Sequence, residues 1–268
     1  MNLVENDNEI ESKNDLSVRG ASFDFQPLFL LLHLSMLLDY TFTQDTFYYT
    51  SFYSRTPYYY YIFLITYMTM LVFFTKSCSS PGFATDEVQD DKTPITDKFF
   101  CKYCNIYAPL RASHCHNCNK CILRRDHHCP WTNICIGRDN HLYFFGFSFF
   151  EFFSQTVPTV DLYFHFIRYL NTSDHYSASV VLPYIIIIMV ATYGSYMSFR
   201  LAYYNIQTIY FNLTTWERAR RNQISYLKIY PKGYSPFDKG LIGNIIEICT
   251  MKKKKMTWEL PPIDLSMF

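Results

Sequence analysis

The stretch CKYCNIYAPLRASHCHNCNKCILRRDHHCPWTNIC, residues 101–135, decides how the chain is read. Its 35 residues hold seven of the nine cysteines and four of the eight histidines. The pairs Cys101/Cys104, Cys115/Cys118 and Cys118/Cys121 each have the two-residue gap at which a tight turn presents two thiolates to one tetrahedral ion. Two closed zinc sites need four donors each. Eleven are on offer, the seven cysteines with His114, His116, His127 and His128. If Cys101, Cys104, Cys115, Cys118, Cys121 and Cys135 fill six slots and two histidines complete the shells, Cys129 is left as a free thiol beside an imidazole and close to Asp126. Such a thiol is a candidate nucleophile, because the thiolate is the reactive form and a neighbouring base populates it. Three adjacent Cys-x-x-Cys units make a poor disulfide framework, so the thiols are expected in a reducing compartment.

Outward from this stretch, bulk composition misleads. With 49% hydrophobic residues, a net charge of +1 and a mean hydropathy near zero, 268 residues would pass for an ordinary soluble chain. However, 24 Tyr and 25 Phe are present, and Tyr counts as polar although its ring suits a membrane interface. Local runs therefore decide. Residues 1–24 are polar and Asn-rich without an apolar period, which predicts a disordered cytosolic tail. They show neither the basic start of a signal peptide nor a Gly after Met1 for myristoylation. Residues 25–38 are uncharged and reach the ~20 residues of a spanning helix only with their neighbours, giving a first span at 25–42 with His33 packed inside it. Residues 58–74 form a second, wholly uncharged span. Residues 142–167 are apolar but carry Glu151, Pro158 and Asp161. An acid inside a membrane faces a partner within the bundle, so Glu151 is read as structurally paired, with a place in a substrate pocket as the other reading. A fourth span is expected at 177–199.

Basic residues set the orientation, since loops rich in Lys and Arg stay cytosolic. Of the 24, 22 fall in the tail, in 75–141 and in 200–268. Both termini and the cysteine-rich segment are thus expected in the cytosol. The sequon at Asn171-Thr172-Ser173 is then non-cytosolic and that at Asn212-Leu213-Thr214 cytosolic. Lys252 to Lys255, beside Ile245, Ile246 and Ile248, read as an amphipathic stretch on an anionic leaflet or as a solvated tail. A net charge of +1 leaves no basic footprint for nucleic acid.

The order Cys101, Cys104, His114-Cys115, Cys118, Cys121, Asp126-His127-His128-Cys129, Cys135, Asn140, Phe144 is followed downstream by Thr214-Thr215-Trp216-Glu217 and by Tyr234–Ile248 with Asn244. This order resembles that of the DHHC-type protein S-acyltransferases, or palmitoyltransferases. The resemblance implies an α-helical integral membrane protein with four transmembrane helices. A cytosolic two-zinc cysteine-rich domain at 75–141 would lie between helices 2 and 3, and a C-terminal region at 200–268 would carry the TTxE motif. One structural Zn2+ would be held by Cys101, Cys104, His114 and Cys121, the other by Cys115, Cys118, His128 and Cys135. Cys129 would attack the thioester of palmitoyl-CoA with His127 as base and Asp126 orienting it, and the acyl group would pass to cysteines of proteins at the bilayer. Thr214, Thr215, Glu217 and Asn244 would brace the C-terminal region, and Arg124, Arg125 and Arg138 are candidates for contact with CoA. The membrane would be Golgi, ER or plasma membrane, with room for an accessory subunit. A departure is Ser80-Pro81-Gly82, where the family carries Asp-Pro-Gly. Without the resemblance, TTWE reads as a helix start with Thr214 capping and Glu217 three positions on. The competing reading of the whole is a catalytically inactive zinc-binding membrane scaffold.

Overall fold

The computed structural model describes residues 24–48, 57–86, 99–172, 177–254 and 258–260. The expected tail before Asp24, Ser173 of the first sequon and Lys255 lie outside the described residues. Four long helices, α1 (Gln26–Tyr48), α2 (Pro57–Ser77), α3 (His141–Thr172) and α4 (Ala178–Tyr210), lie over the four apolar runs. Among the described residues, two stretches are long and apolar enough to cross a membrane, Tyr60–Ser77 of α2 and the whole of α4. The apolar part of α1 covers only Gln26–Leu38, and α3 carries Glu151, Asp161 and Arg168. Helix α4 runs on to Tyr210 instead of ending at 199. Its 33 residues rise about 50 Å at 1.5 Å each, well beyond a hydrocarbon core of ~30 Å.

The chain divides into two compact units, one of residues 27–75 and 143–205, the other of 76–142 and 206–268 with the residues before 27. The helical unit is packed by rings. Phe29 stacks on Phe74 at 4.4 Å, Phe147 closes on both, and Phe73 stacks on Phe150. Gly146 is required at this contact, because a Cβ there would lie 2.4 Å from the Phe73 ring. Hydroxyl pairs Thr159–Ser195 and Tyr163–Thr192, both at 2.9 Å, tie α3 to α4. His33 is the partner of Glu151, its Nε2 lying 3.1 and 3.2 Å from the two carboxylate oxygens, and both residues are buried. Outward, α4 shows apolar side chains such as Ile186 and Val190, the latter 67% exposed, a surface suited to lipid and not to water.

The second unit contains three antiparallel hairpins, β1 (Phe99–Cys101) with β2 (Ile106–Ala108), β3 (Ser113–Cys115) with β4 (Lys120–Ile122), and β5 (His127–Cys129) with β6 (Ile134–Ile136). They are superimposable in register. Cys101 pairs with Ile106, Cys115 with Lys120 and Cys129 with Ile134, a recurrence every 14 residues. Each turns through an asparagine at positive φ, Asn105 at 55°, Asn119 at 50° and Asn133 at 52°, a conformation Asn tolerates better than most residues. Two-stranded hairpins are marginal alone, so something other than pairing must hold them. Ahead of them, the Ser80 hydroxyl accepts the Gly82 N–H at 3.3 Å across a turn in which Gly82 has φ 87°. Serine thus supplies a side-chain acceptor for the turn. After α4 come α5 (Thr215–Ala219), α6 (Ser225–Lys228) and α7 (Gly240–Thr250).

Candidate active site and metal centres

The hairpin registers assemble two donor sets. Cys101, Cys104, His114 and Cys121 converge, as do Cys115, Cys118, His128 and Cys135, each set with its ligand atoms within 4.8 Å of one another. His114 Nδ1 lies 3.6, 3.3 and 4.0 Å from the sulfurs of Cys101, Cys104 and Cys121. His128 Nδ1 lies 3.8, 3.4 and 3.8 Å from Cys115, Cys118 and Cys135. A tetrahedron with Zn–N of about 2.0 Å and Zn–S of about 2.3 Å has an N–S edge of about 3.6 Å. Three thiolates and one imidazole at these separations fit zinc, and neither set offers an open position. The ion would supply cross-linking of hairpins whose own apolar clusters are small, and the chemistry is left to residues beside it.

Alternation along β5 sets up that chemistry. His128 is opposite Cys135 and belongs to the metal set, so its neighbours His127 and Cys129 share the other face of the strand. His127 Nδ1 is 2.7 Å from Asp126 Oδ2, which leaves the other ring nitrogen for the Cys129 thiol, with which the ring hydrogen-bonds. Burial opposes a charge on His127, but the Asp126 carboxylate and Cys129 override it and raise the imidazole to about 10. Burial likewise opposes the thiolate, yet the His127 hydrogen bond and charge, helped by Thr132, pull Cys129 below the usual thiol range. Cys129 is 2% exposed, whereas the His127 side chain remains 32% exposed. Asp126 is held far below the ordinary carboxylate range in spite of its burial, by His127 first.

The C-terminal segment aims that carboxylate. Thr214 and Glu217 form a reciprocal capping box at the start of α5, the helix start expected for TTWE. The free backbone N–H groups of this turn go to Asp126. Thr215 donates to Oδ1 at 2.5 Å and Trp216 to the carbonyl at 3.2 Å. Glu217 also receives a bidentate pair from Arg111, Nε to Oε1 at 2.7 Å and Nη2 to Oε2 at 2.8 Å, with both side chains buried. Arg111 further donates to Asn212 and lies over the Phe237 ring at 4.0 Å. Asn244 donates to the Tyr210 carbonyl at 2.9 Å and to Asp238 Oδ1 at 2.7 Å, fastening α7 to the end of α4.

Three residues of this network escaped sequence reading: Arg111, Asn212 and His141. Arg111 looked like one basic residue among many, and only its later pairing with an acid 106 positions away gives it meaning. Asn212, read as an unmodified sequon, is 2% exposed and spends its side chain on Arg111, Arg124 and the Phe237 carbonyl. Absence of a glycan there therefore says nothing about membrane side. The three arginines expected to meet CoA have partners within the protein. Arg124 is buried, donating to His141 at 2.7 Å and to Asn212 at 3.1 Å. Arg138 is buried against Asp139 at 2.7 Å, and Arg125 donates to the His114 carbonyl. The buried guanidinium groups of Arg124 and Arg138 need such fixed acceptors, whereas Arg125 is half-buried. His141 accepts from Arg124 as a neutral ring, since burial and the Arg124 cation push it down to about 3. His116 is exposed.

The fold and site together define a helical protein with membrane-type helices, twin Cys3His metal centres and a Cys–His–Asp group mounted on the last hairpin. Residues 94–222 match the model of the DHHC palmitoyltransferase family. Comparison with curated proteins gave no match.

Proposed function

We propose that the chain is a protein-cysteine S-palmitoyltransferase that moves a long-chain acyl group from palmitoyl-CoA to cysteines of target proteins through a thioester on Cys129. The observation that carries this reading is the line Asp126–His127–Cys129, with Asp126 Oδ2 at 2.7 Å from His127 Nδ1 and the thiol on the ring's far side. Cys129 Sγ attacks the acyl carbonyl carbon, and CoA leaves as its thiol with the proton carried by His127. The thiolate of an acceptor cysteine then attacks the same carbon, releasing Cys129. One thioester is exchanged for another at each step. Asp126, fixed by the Thr215 and Trp216 N–H groups, orients the imidazole and balances its charge.

Four membrane spans, with both termini and the DHHC domain on the cytosolic side of a Golgi, ER or plasma membrane, follow from the distribution of basic residues and the presence of acyl-CoA there. Lipid-facing helices offer an apolar place for the chain, at roughly 0.8 kcal/mol per buried methylene. The unshared base and thiol weigh against an inactive scaffold, which has no use for an aligned Asp126. Purified protein given palmitoyl-CoA without acceptor should take up close to one acyl group per chain, released by neutral hydroxylamine. His127→Ala should slow uptake by about 100-fold to 10,000-fold, and Asp126→Asn should slow it too. Full labelling of Cys129→Ser would end the reading.

A further inference from the structure

Each metal set is shared between consecutive hairpins. The first turn supplies Cys101 and Cys104, and the second hairpin's cross-strand pair His114–Cys121 completes the set. The second turn supplies Cys115 and Cys118, and the third hairpin's pair His128–Cys135 completes that one. All four positions advance by 14 residues from one set to the next. A further step of 14 reaches Cys129 and Thr132 in the third turn, then Leu142 and Phe149 in α3. At the other end, the first hairpin's pair Phe100–Tyr107 has no earlier turn to serve, and its two rings pack together at 5.2 Å. The series is open at both ends, and Cys129 is the thiol at its downstream end.

We infer that Cys129 occupies the first ligand position of a third metal knuckle, and that Thr132 is the residue that keeps metal off it. The third turn retains the geometry of the other two, with the same register and with Asn133 at φ 52° beside Asn119 at 50°. Where the second turn presents Cys118 Sγ to His128 at 3.4 Å, the third carries Thr132, 3% exposed, with its hydroxyl 3.5 Å from the Cys129 carbonyl and 3.4 Å from that of Ile134. A thiolate or imidazole at 132 would join Cys129 and His127 as a third protein donor. Three such donors with a water are enough for an open zinc site, which would tie up the nucleophile and its base together. A neutral hydroxyl is no match for thiolate or imidazole as a zinc donor. Thr132 is thus a specificity residue that decides between ligand and nucleophile. Its meaning for catalysis rests on the acyl-enzyme reading, but its effect on metal does not.

The full chain, purified in detergent under reductant, is saturated with zinc, desalted and assayed for metal. The parent and Thr132→Ser should hold about two ions, whereas Thr132→Cys and Thr132→His should each hold about three and lose acyl uptake. Two ions in both of the latter variants would overturn the inference. If neither retains the two resident ions, the parent decides. Excess zinc should leave alkylation of its Cys129 by iodoacetamide unchanged, and protection by zinc would show that Thr132 does not exclude metal. Failure of the acyl-enzyme reading appears separately, as label on Cys129→Ser.

Discussion

The two compact units solve opposite problems. The helical unit buries rings against rings and leaves aliphatic side chains outside. The cysteine-rich unit has strands of three residues and only small apolar clusters around its cysteines, and it buries charges as well, with Arg111, Arg124, Asp126, Glu217 and Glu247 all at 4% exposure or less. Apolar packing tolerates some slippage, but ligation and charged hydrogen bonds fix atoms to a few tenths of an ångström. On the proposed function Cys129, His127 and Asp126 need that fixity as nucleophile, base and carboxylate, and they sit in the unit rich in polar contacts.

Metal removal should separate the two most sharply. Cys121→Ser, or a strong chelator, deletes a zinc contribution of roughly 10–16 kcal/mol, on the scale of the whole net stability of a domain. Zinc and acyl uptake should both vanish while the far-ultraviolet helical signal stays largely in place, since none of the eight donors lies on a long helix. Helix content lost in step with zinc would mean that the units are not independent. Cys129→Ser, by contrast, should keep both ions, and loss of one would show that the ligand sets are misassigned.

The next effect concerns the Arg111–Glu217 pair. Removing one member of a buried ion pair costs about 3–5 kcal/mol, because the survivor is left charged without a partner, while replacing both costs far less. Arg111→Met should therefore lower the thermal midpoint more than Arg111→Met with Glu217→Gln, the glutamine still capping the Thr214 N–H. Equal damage from single and double variants would show that the pair does not act as a unit.

The same contrast explains what the sequence revealed. The donor sets were legible because zinc chemistry dictates residue types and spacing, and Cys129 emerges as the spare thiol from counting ligands. The capping box was legible because Thr214 and Glu217 are local. The 14-residue recurrence was present in the string but concealed by Thr132 and by Phe100 and Tyr107, which break the pattern at its ends. The anchoring of Asp126 by Thr215 and Trp216 was out of reach, since backbone N–H groups leave no residue signature. Arg124 was read as a candidate CoA contact for the same reason that His33 looked inert, their partners Asn212 and Glu151 being far away in sequence.

The smallest effect belongs to Glu151, a buried acid of the helical unit paired with His33 across two helices. His33 Nδ1 lies 2.9 Å from the Phe29 carbonyl, which can only accept, so Nδ1 carries a proton. The contact of Nε2 with Glu151 then holds one further proton, on either the ring or the carboxyl, because two acceptors would not approach to 3.1 Å. Gln155 donates to the same carboxylate at 3.1 Å. A glutamine at 151 has an amide N–H for a neutral His33 Nε2 and an oxygen for Gln155, so Glu151→Gln should cost less than about 1 kcal/mol. Glu151→Ala leaves both partners unsatisfied and should cost about 1–3 kcal/mol. Thermal unfolding of the helical signal in detergent measures both. If Gln is as damaging as Ala, the charge on Glu151 matters beyond its hydrogen bonds, and the helical unit relies on electrostatics as its neighbour does.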